Sequence, residues 1–122
     1  DMSEIYDKEL RNKIKGAAKA LDIPLQEGVY IQFSGPAYES PAEVRMAGLL
    51  GADACGMSTT CEAVAANHMG MKICGISCIT NMASGISDKK LSHTEVQETA
   101  DRVSVQFKQL VRLSVAEIGK EI

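Results

Sequence analysis

The sequence predicts an α/β fold, a mostly parallel twisted sheet with flanking helices. Three observations predict it. Short apolar runs rich in β-branched or small residues alternate with longer stripes of helical period. Each run follows a glycine and gives way to small polar residues. Three helix starts, finally, repeat one piece of local chemistry, a hydroxyl followed three residues later by Glu. At 122 residues and 45% hydrophobic content the chain suits one domain with its own core.

The first helix is written from Tyr6 onward, where Tyr6, Leu10, Ile14, Ala17, Ala18 and Leu21 form an apolar stripe with charges between them. Pro24 and Gly28 mark a connector. Val29 to Phe33 (VYIQF) reads as a strand, ended by Ser34, Gly35 and Pro36. The hydroxyl–Glu pairs Ser40 with Glu43, Thr59 with Glu62 and Ser92 with Glu95 each fit a capping box and predict helices near 41–50, 59–69 and 93–120. Pro41 falls at a first helical position, where a missing N–H does no harm. In the last helix Val96, Ala100, Val103, Phe107, Leu110, Val111, Val115 and Ile118 share one face, expected to cover the sheet. Between the helices, 52–56 (ADACG) and 71–79 (MKICGISCI) read as buried strands. The resulting order, α-β-α-β-α-β-α, implies parallel strands joined by right-handed crossovers.

Several function classes are excluded at this level. A net charge of −3 with scattered Lys and Arg offers no track for a nucleic-acid backbone. No apolar run approaches the roughly 20 residues that span a bilayer, and no secretory leader is written, so no membrane partner and a cytoplasmic location are expected. Cys55, Cys61, Cys74 and Cys78 form no CxxC. If 71–79 is a strand, Cys74 and Cys78 stand about 13 Å apart, beyond disulfide or shared-metal reach. All four read as reduced, mostly buried thiols, with no metal site. Neither GxGxxG nor GxxxxGK[ST] occurs.

In an open α/β sheet ligands gather beyond the carboxyl ends of the strands. Those ends are Ser34 to Glu39, Gly56 to Thr59 and Thr80 to Gly85. The first, inside SGPAYESPAE, raises a question: a loop needs its Gly and Pro, but has no structural need for Tyr38 and Glu39 between them. On residue type alone Glu39 reads as a solvated carboxylate.

Taken together and in order, GPAYESPAE, GADACGMSTTCEAVAANHMG and GISCITNMASGISDKKLSHTEV resemble the purine nucleoside phosphorylases of the homotrimeric, 6-oxopurine-specific class. The resemblance spans nearly the whole chain and only the carboxyl-terminal portion of a family member. It implies a partial nucleoside-phosphorylase-type fold, with 1–122 as the carboxyl-terminal part of a single α/β domain. The activity it implies is phosphorolysis of inosine or guanosine, and their deoxy forms, to free base and pentose 1-phosphate. Inorganic phosphate is then a co-substrate, no cofactor is required, and the full-length assembly is a homotrimer.

Residue by residue, Glu39 matches the glutamate that accepts from purine N1–H, and Asn81 the asparagine that donates to O6 while accepting from N7. A carboxamide can do both where a carboxylate cannot donate. Met57 matches a methionine under the ribose and Ser58 a phosphate-contacting serine placed before a helix start, where an anion is favoured; Ser58 also suits helix capping. Tyr38 resembles the aromatic bordering sugar and base, and Tyr30 and Thr80 match supporting pocket positions that equally suit a core. His93 aligns with the histidine that reaches the 5′-hydroxyl, although the gap from Asn81 is shorter here than in mammalian members. His68 reads as structural. Cys55 and Cys61 stand where mammalian members carry valine and proline.

The expected catalytic set is therefore Asn81, Glu39 and His93. The family's main phosphate-holding arginine and histidine belong to its amino-terminal portion, so the isolated chain is expected to be inactive. Two alternatives stay open. A methylthioadenosine phosphorylase is disfavoured by Asn81, since those relatives carry Asp there. A non-catalytic purine-binding module would bind base without turnover.

Overall fold

In the computed structural model residues 1–88 and 90–120 are described. The elements follow in chain order as α1 (Lys8–Ala20), β1 (Tyr30–Gln32), α2 (Pro41–Leu49), β2 (Ala54–Gly56), α3 (Thr60–His68) and α4 (His93–Gly119). They are shared between two compact units. The first takes Asp1–Gln26, Ala63–Ser77 and the chain from Arg102; the second takes Glu27–Glu62 and Cys78–Asp101.

In the first unit α1 starts where Asp7 accepts from the Leu10 amide at 2.9 Å. That bond, helped by the nearby Lys72 ammonium, holds the Asp7 carboxyl below its ordinary range. The stripe read from the sequence faces inward, with Ile14, Ala17 and Ala18 buried. Leu110 of α4 packs on Ala17 and Ala18, with Leu21, Ile23, Ile76 and Leu113 around it. The core contact of α4 in this unit is thus to α1. Its inward face is also narrower than its periodicity suggests: Leu110 and Ser114 are buried while Val115 is 63% exposed. Leu110 and Ser114 are four residues apart and share a face, whereas Val115 lies about 100° further round.

In the second unit β1 and β2 pair in parallel, Tyr30 with Ala54, Ile31 with Cys55 and Gln32 with Gly56, and α2 is the crossover between them. Reciprocal bonds set the register just before the ladder: the Val29 amide donates to Asp53 Oδ2 and the Asp53 amide to the Val29 carbonyl, both at 2.8 Å. Both halves of the Ser40–Glu43 capping box are formed at α2, with Pro41 in its first turn.

The expected third strand, 71–79, is not one. Among the described residues it makes a single parallel bridge, Ile73 with Tyr6, with the Asp7 amide donating to the Ile73 carbonyl at 2.8 Å. A ladder needs a partner along its length, and the chain beside Ile73 turns at once into the cap of α1. The thiols also depart from expectation. All four are free, but Cys61 is exposed and Cys55, Cys74 and Cys78 are half-buried.

Candidate functional site

The ends of β1 and β2 are drawn together by glycines. Pairing runs one residue past β1, where the Phe33 amide donates to the Gly56 carbonyl at 2.9 Å. Gly35 then adopts φ +64°, and Met57 of the next loop packs against it so closely that any Cβ there would collide with the thioether. The Tyr30 hydroxyl likewise lies against Gly56 where a side chain would stand. The third loop joins at Gly85, with φ +77°, where a Cβ would come within 2.8 Å of Pro41 Cβ at the start of α2. The loop after β1 therefore touches the loop after β2 directly, and the 80–85 loop rests against the start of α2, the helix that follows the loop after β1.

Within this cluster Glu39 is half-buried, and its Oε2 accepts from the Cys55 thiol in the centre of β2 at 3.7 Å. Burial, followed by the Glu39 charge and this hydrogen bond, pushes the Cys55 thiol above its ordinary range and keeps it a neutral donor. Asn81, also half-buried, takes a hydrogen bond on Oδ1 from the Thr80 hydroxyl at 2.7 Å and donates from Nδ2 to the Met82 carbonyl at 3.0 Å. Each of these groups uses only part of its capacity. A carboxylate oxygen and a carboxamide oxygen have further lone pairs, and an NH₂ group has a second hydrogen. Glu39 can accept again, and Asn81 can donate once and accept once more.

The start of α3 is held differently from what its sequence suggests. The Thr59 amide donates to Glu62 Oε2 at 2.7 Å, the Glu half of the expected box, but the Thr59 hydroxyl lies 3.2 Å from that of Ser58 instead. Thr59 has φ +87°, a left-handed conformation that a β-branched residue rarely adopts, and the helix begins one residue later than expected, at Thr60. The acceptor role falls to Gln32 of β1, whose Oε1 receives the Cys61 amide at 3.0 Å and the Thr60 hydroxyl at 2.7 Å. Gln32 Nε2 donates to Cys61 Sγ at 3.3 Å, and that thiol donates to Glu62 Oε2 at 3.0 Å. The Glu62 carboxyl is held below its ordinary range chiefly by the Cys61 hydrogen bond.

Ser58, Met57 and Tyr38 are exposed, Met57 at 49% and Tyr38 at 44%, while Tyr30 and Thr80 are half-buried. His93 stands exposed at the first residue of α4, outside these loop contacts, and His68 is the last residue of α3. Ser92 caps α4 through a 3.2 Å bond from the Glu95 amide. Gln32, Asp53 and the backbone of Thr59 were missed by sequence reasoning. A polar Gln inside an apolar strand was the available signal for the first; no residue-type signal marks the other two. Among the described residues no three His, Cys, Asp or Glu side chains gather to hold a metal ion, and no helix is long and apolar enough to cross a membrane.

Comparison with known proteins bears on this arrangement. Residues 1–116 match the phosphorylase superfamily. The chain is 51% identical over 117 residues to purine nucleoside phosphorylase 1 of Bacillus subtilis, covering 96% of this chain and 43% of that protein. Its backbone is similar to a solved schistosome purine nucleoside phosphorylase in complex with hypoxanthine, with TM-score 0.86, 33% identity, and coverage of 96% and 43% of the two chains. The Schistosoma mansoni enzyme in complex with inosine gives the same TM-score and identity, covering 96% of this chain and 42% of that one. The chain spans less than half the length of these relatives.

Proposed function

The chain belongs to the phosphorylase superfamily, and on that premise we propose that its second unit carries the base-recognition residues of a purine nucleoside phosphorylase acting on 6-oxopurine nucleosides. Phosphate attacks the anomeric carbon, the bond to N9 breaks, and the products are the free base and a pentose 1-phosphate, a purine-salvage reaction. Positive character grows on the sugar and negative charge on the leaving base, so the protein's task is to place hydrogen bonds where that charge appears.

The observation that carries the reading is the half-used state of two polar side chains, one in the loop after β1 and one in the 80–85 loop. Glu39 keeps capacity to accept from N1–H. Asn81 keeps one hydrogen for O6 and one lone pair for N7 as that atom gains its proton. Tyr38 borders base and sugar, Met57 lies under the ribose, Tyr30 and Thr80 support the pocket, and His93 serves the 5′-hydroxyl. Ser58 contributes to the phosphate subsite at the start of α3, where exposed amides favour an anion. No cofactor is needed beyond phosphate. The 122 residues form the carboxyl-terminal part of a single α/β domain in a cytoplasmic homotrimer. With the family's phosphate-holding arginine and histidine in the portion this chain does not match, the chain alone binds base without turnover.

A calorimetric titration of the 122-residue chain with hypoxanthine, beside a phosphorolysis assay with inosine and phosphate, tests this. Binding without base release is expected, and Glu39→Gln weakens hypoxanthine by about ten- to a hundredfold, the range for a hydrogen bond to a charged group. Hypoxanthine affinity that is indifferent to Glu39→Gln sinks the reading.

A further inference from the structure

We propose that Cys55 is a positioning residue for Glu39: its thiol donates to Oε2 and thereby decides which carboxylate oxygen is left to meet the purine. The role rests on the base-recognition reading of Glu39 given above.

The two partners differ in how firmly they are held. Cys55 is the middle residue of β2, opposite Ile31 in the parallel ladder, so its Cα is fixed from both sides along the strand. Glu39 sits in a loop and carries a side chain with several rotamers, whose ordering costs on the order of 1–2 kcal/mol. A donor on the rigid partner, 3.7 Å from Oε2, selects among those rotamers. The thiol can play this part because it stays protonated. Its half-burial and the neighbouring negative charge both oppose ionisation, and a thiolate there would repel the carboxylate. Among the described residues Glu39 is the charged group whose field acts on Cys55. A valine at this place would supply volume but no donor.

Two measurements decide the matter. The first follows alkylation of each cysteine by mass spectrometry across alkaline pH. In Glu39→Gln the lost negative charge lets Cys55 ionise more easily, so its half-point moves to lower pH. Cys74 is the internal control: its thiol is raised by burial and Asp7, and it keeps its half-point. An unmoved Cys55 overturns the pairing whatever the ligand.

The second compares hypoxanthine with 1-methylhypoxanthine, which lacks the N1–H. Cys55→Val is expected to weaken hypoxanthine about three- to tenfold, the range of one weak hydrogen bond, since a thiol at 3.7 Å is a poor donor even to a carboxylate. The same change leaves the methyl analogue unaffected, and Cys55→Ser, which keeps a donor, restores the preference. A packing role would weaken both ligands equally, and that outcome, or an undiminished preference in Cys55→Val, overturns the inference alone. Should the unaltered chain fail to distinguish the two ligands, the base-recognition reading falls and takes the positioning role with it, while the alkylation profile still judges the pair.

Discussion

Ile14, Ala17, Ala18, Ala63 and Leu110 are buried in the first unit, whereas among the described hydrophobic residues the second unit buries Ala47. The second unit is ordered instead by side chains reaching backbone or one another: Asp53 to Val29, Gln32 to Cys61 and Thr60, Glu43 to Ser40, Glu62 to Thr59, Thr80 to Asn81. Apolar burial is non-directional, while hydrogen bonds fix individual atoms. The difference shows in how each unit responds to single substitutions.

The largest effect is expected in the first unit. Leu110→Ala removes a side chain that is 2% exposed in the α1–α4 core and should destabilise by about 3 kcal/mol in urea unfolding, with no selective effect on ligand contacts. A change below about 1 kcal/mol would mean that this core is not what orders the first unit.

Next comes Gly35→Ala. It forces an L-residue to φ +64° and drives a methyl into Met57, so a loss of about 2 kcal/mol is expected, accompanied by weaker hypoxanthine binding. If stability falls and binding does not, the two loops do not act together.

The smallest effect belongs to the α2 cap. Ser40→Ala should cost about 1 kcal/mol. It should also flatten the acid limb of the stability profile. The Glu43 carboxyl is held below its ordinary value of 4.5, first by the Ser40 amide and then by its hydroxyl. A lowered folded value gives stability that is complete above 4.5 and lost as pH falls through the folded value. Circular dichroism across that range in both proteins reads the difference, and since the amide bond at position 40 survives the change, coincident acid limbs would show that the Ser40 hydroxyl contributes nothing there.

The same contrast explains what the sequence discloses. The helices were legible because their signals are local: the α1 stripe, the Ser40–Glu43 box and Pro41 all act within one or two turns. The positions of Glu39 and Ser58 beyond β1 and β2 were legible too, since strand ends can be counted, and Asn81 follows an apolar run that forms no strand. What could not be read depends on neighbours distant along the chain. The run 71–79 has strand composition, yet among the described residues only Tyr6 forms a bridge with it. The Thr59–Glu62 box is written in the sequence, but a left-handed Thr59 and the side chain of Gln32 replace half of it. For Val115 the helical period was right and the width of the buried face was not, because that width is set by what α4 packs against.

The bond from the Cys61 amide to Gln32 has an implication for how this stretch tolerates change. A proline at 61 has no N–H to offer, so it would leave Gln32 Oε1 with the Thr60 hydroxyl as its donor, while an apolar residue at 32 would take away the acceptor of the Cys61 amide. Positions 32 and 61 are therefore energetically coupled, and the costs of altering them do not add. Substitutions that are harmful singly become compatible as a pair, and the beginning of α3 accepts variation only when its strand partner varies with it.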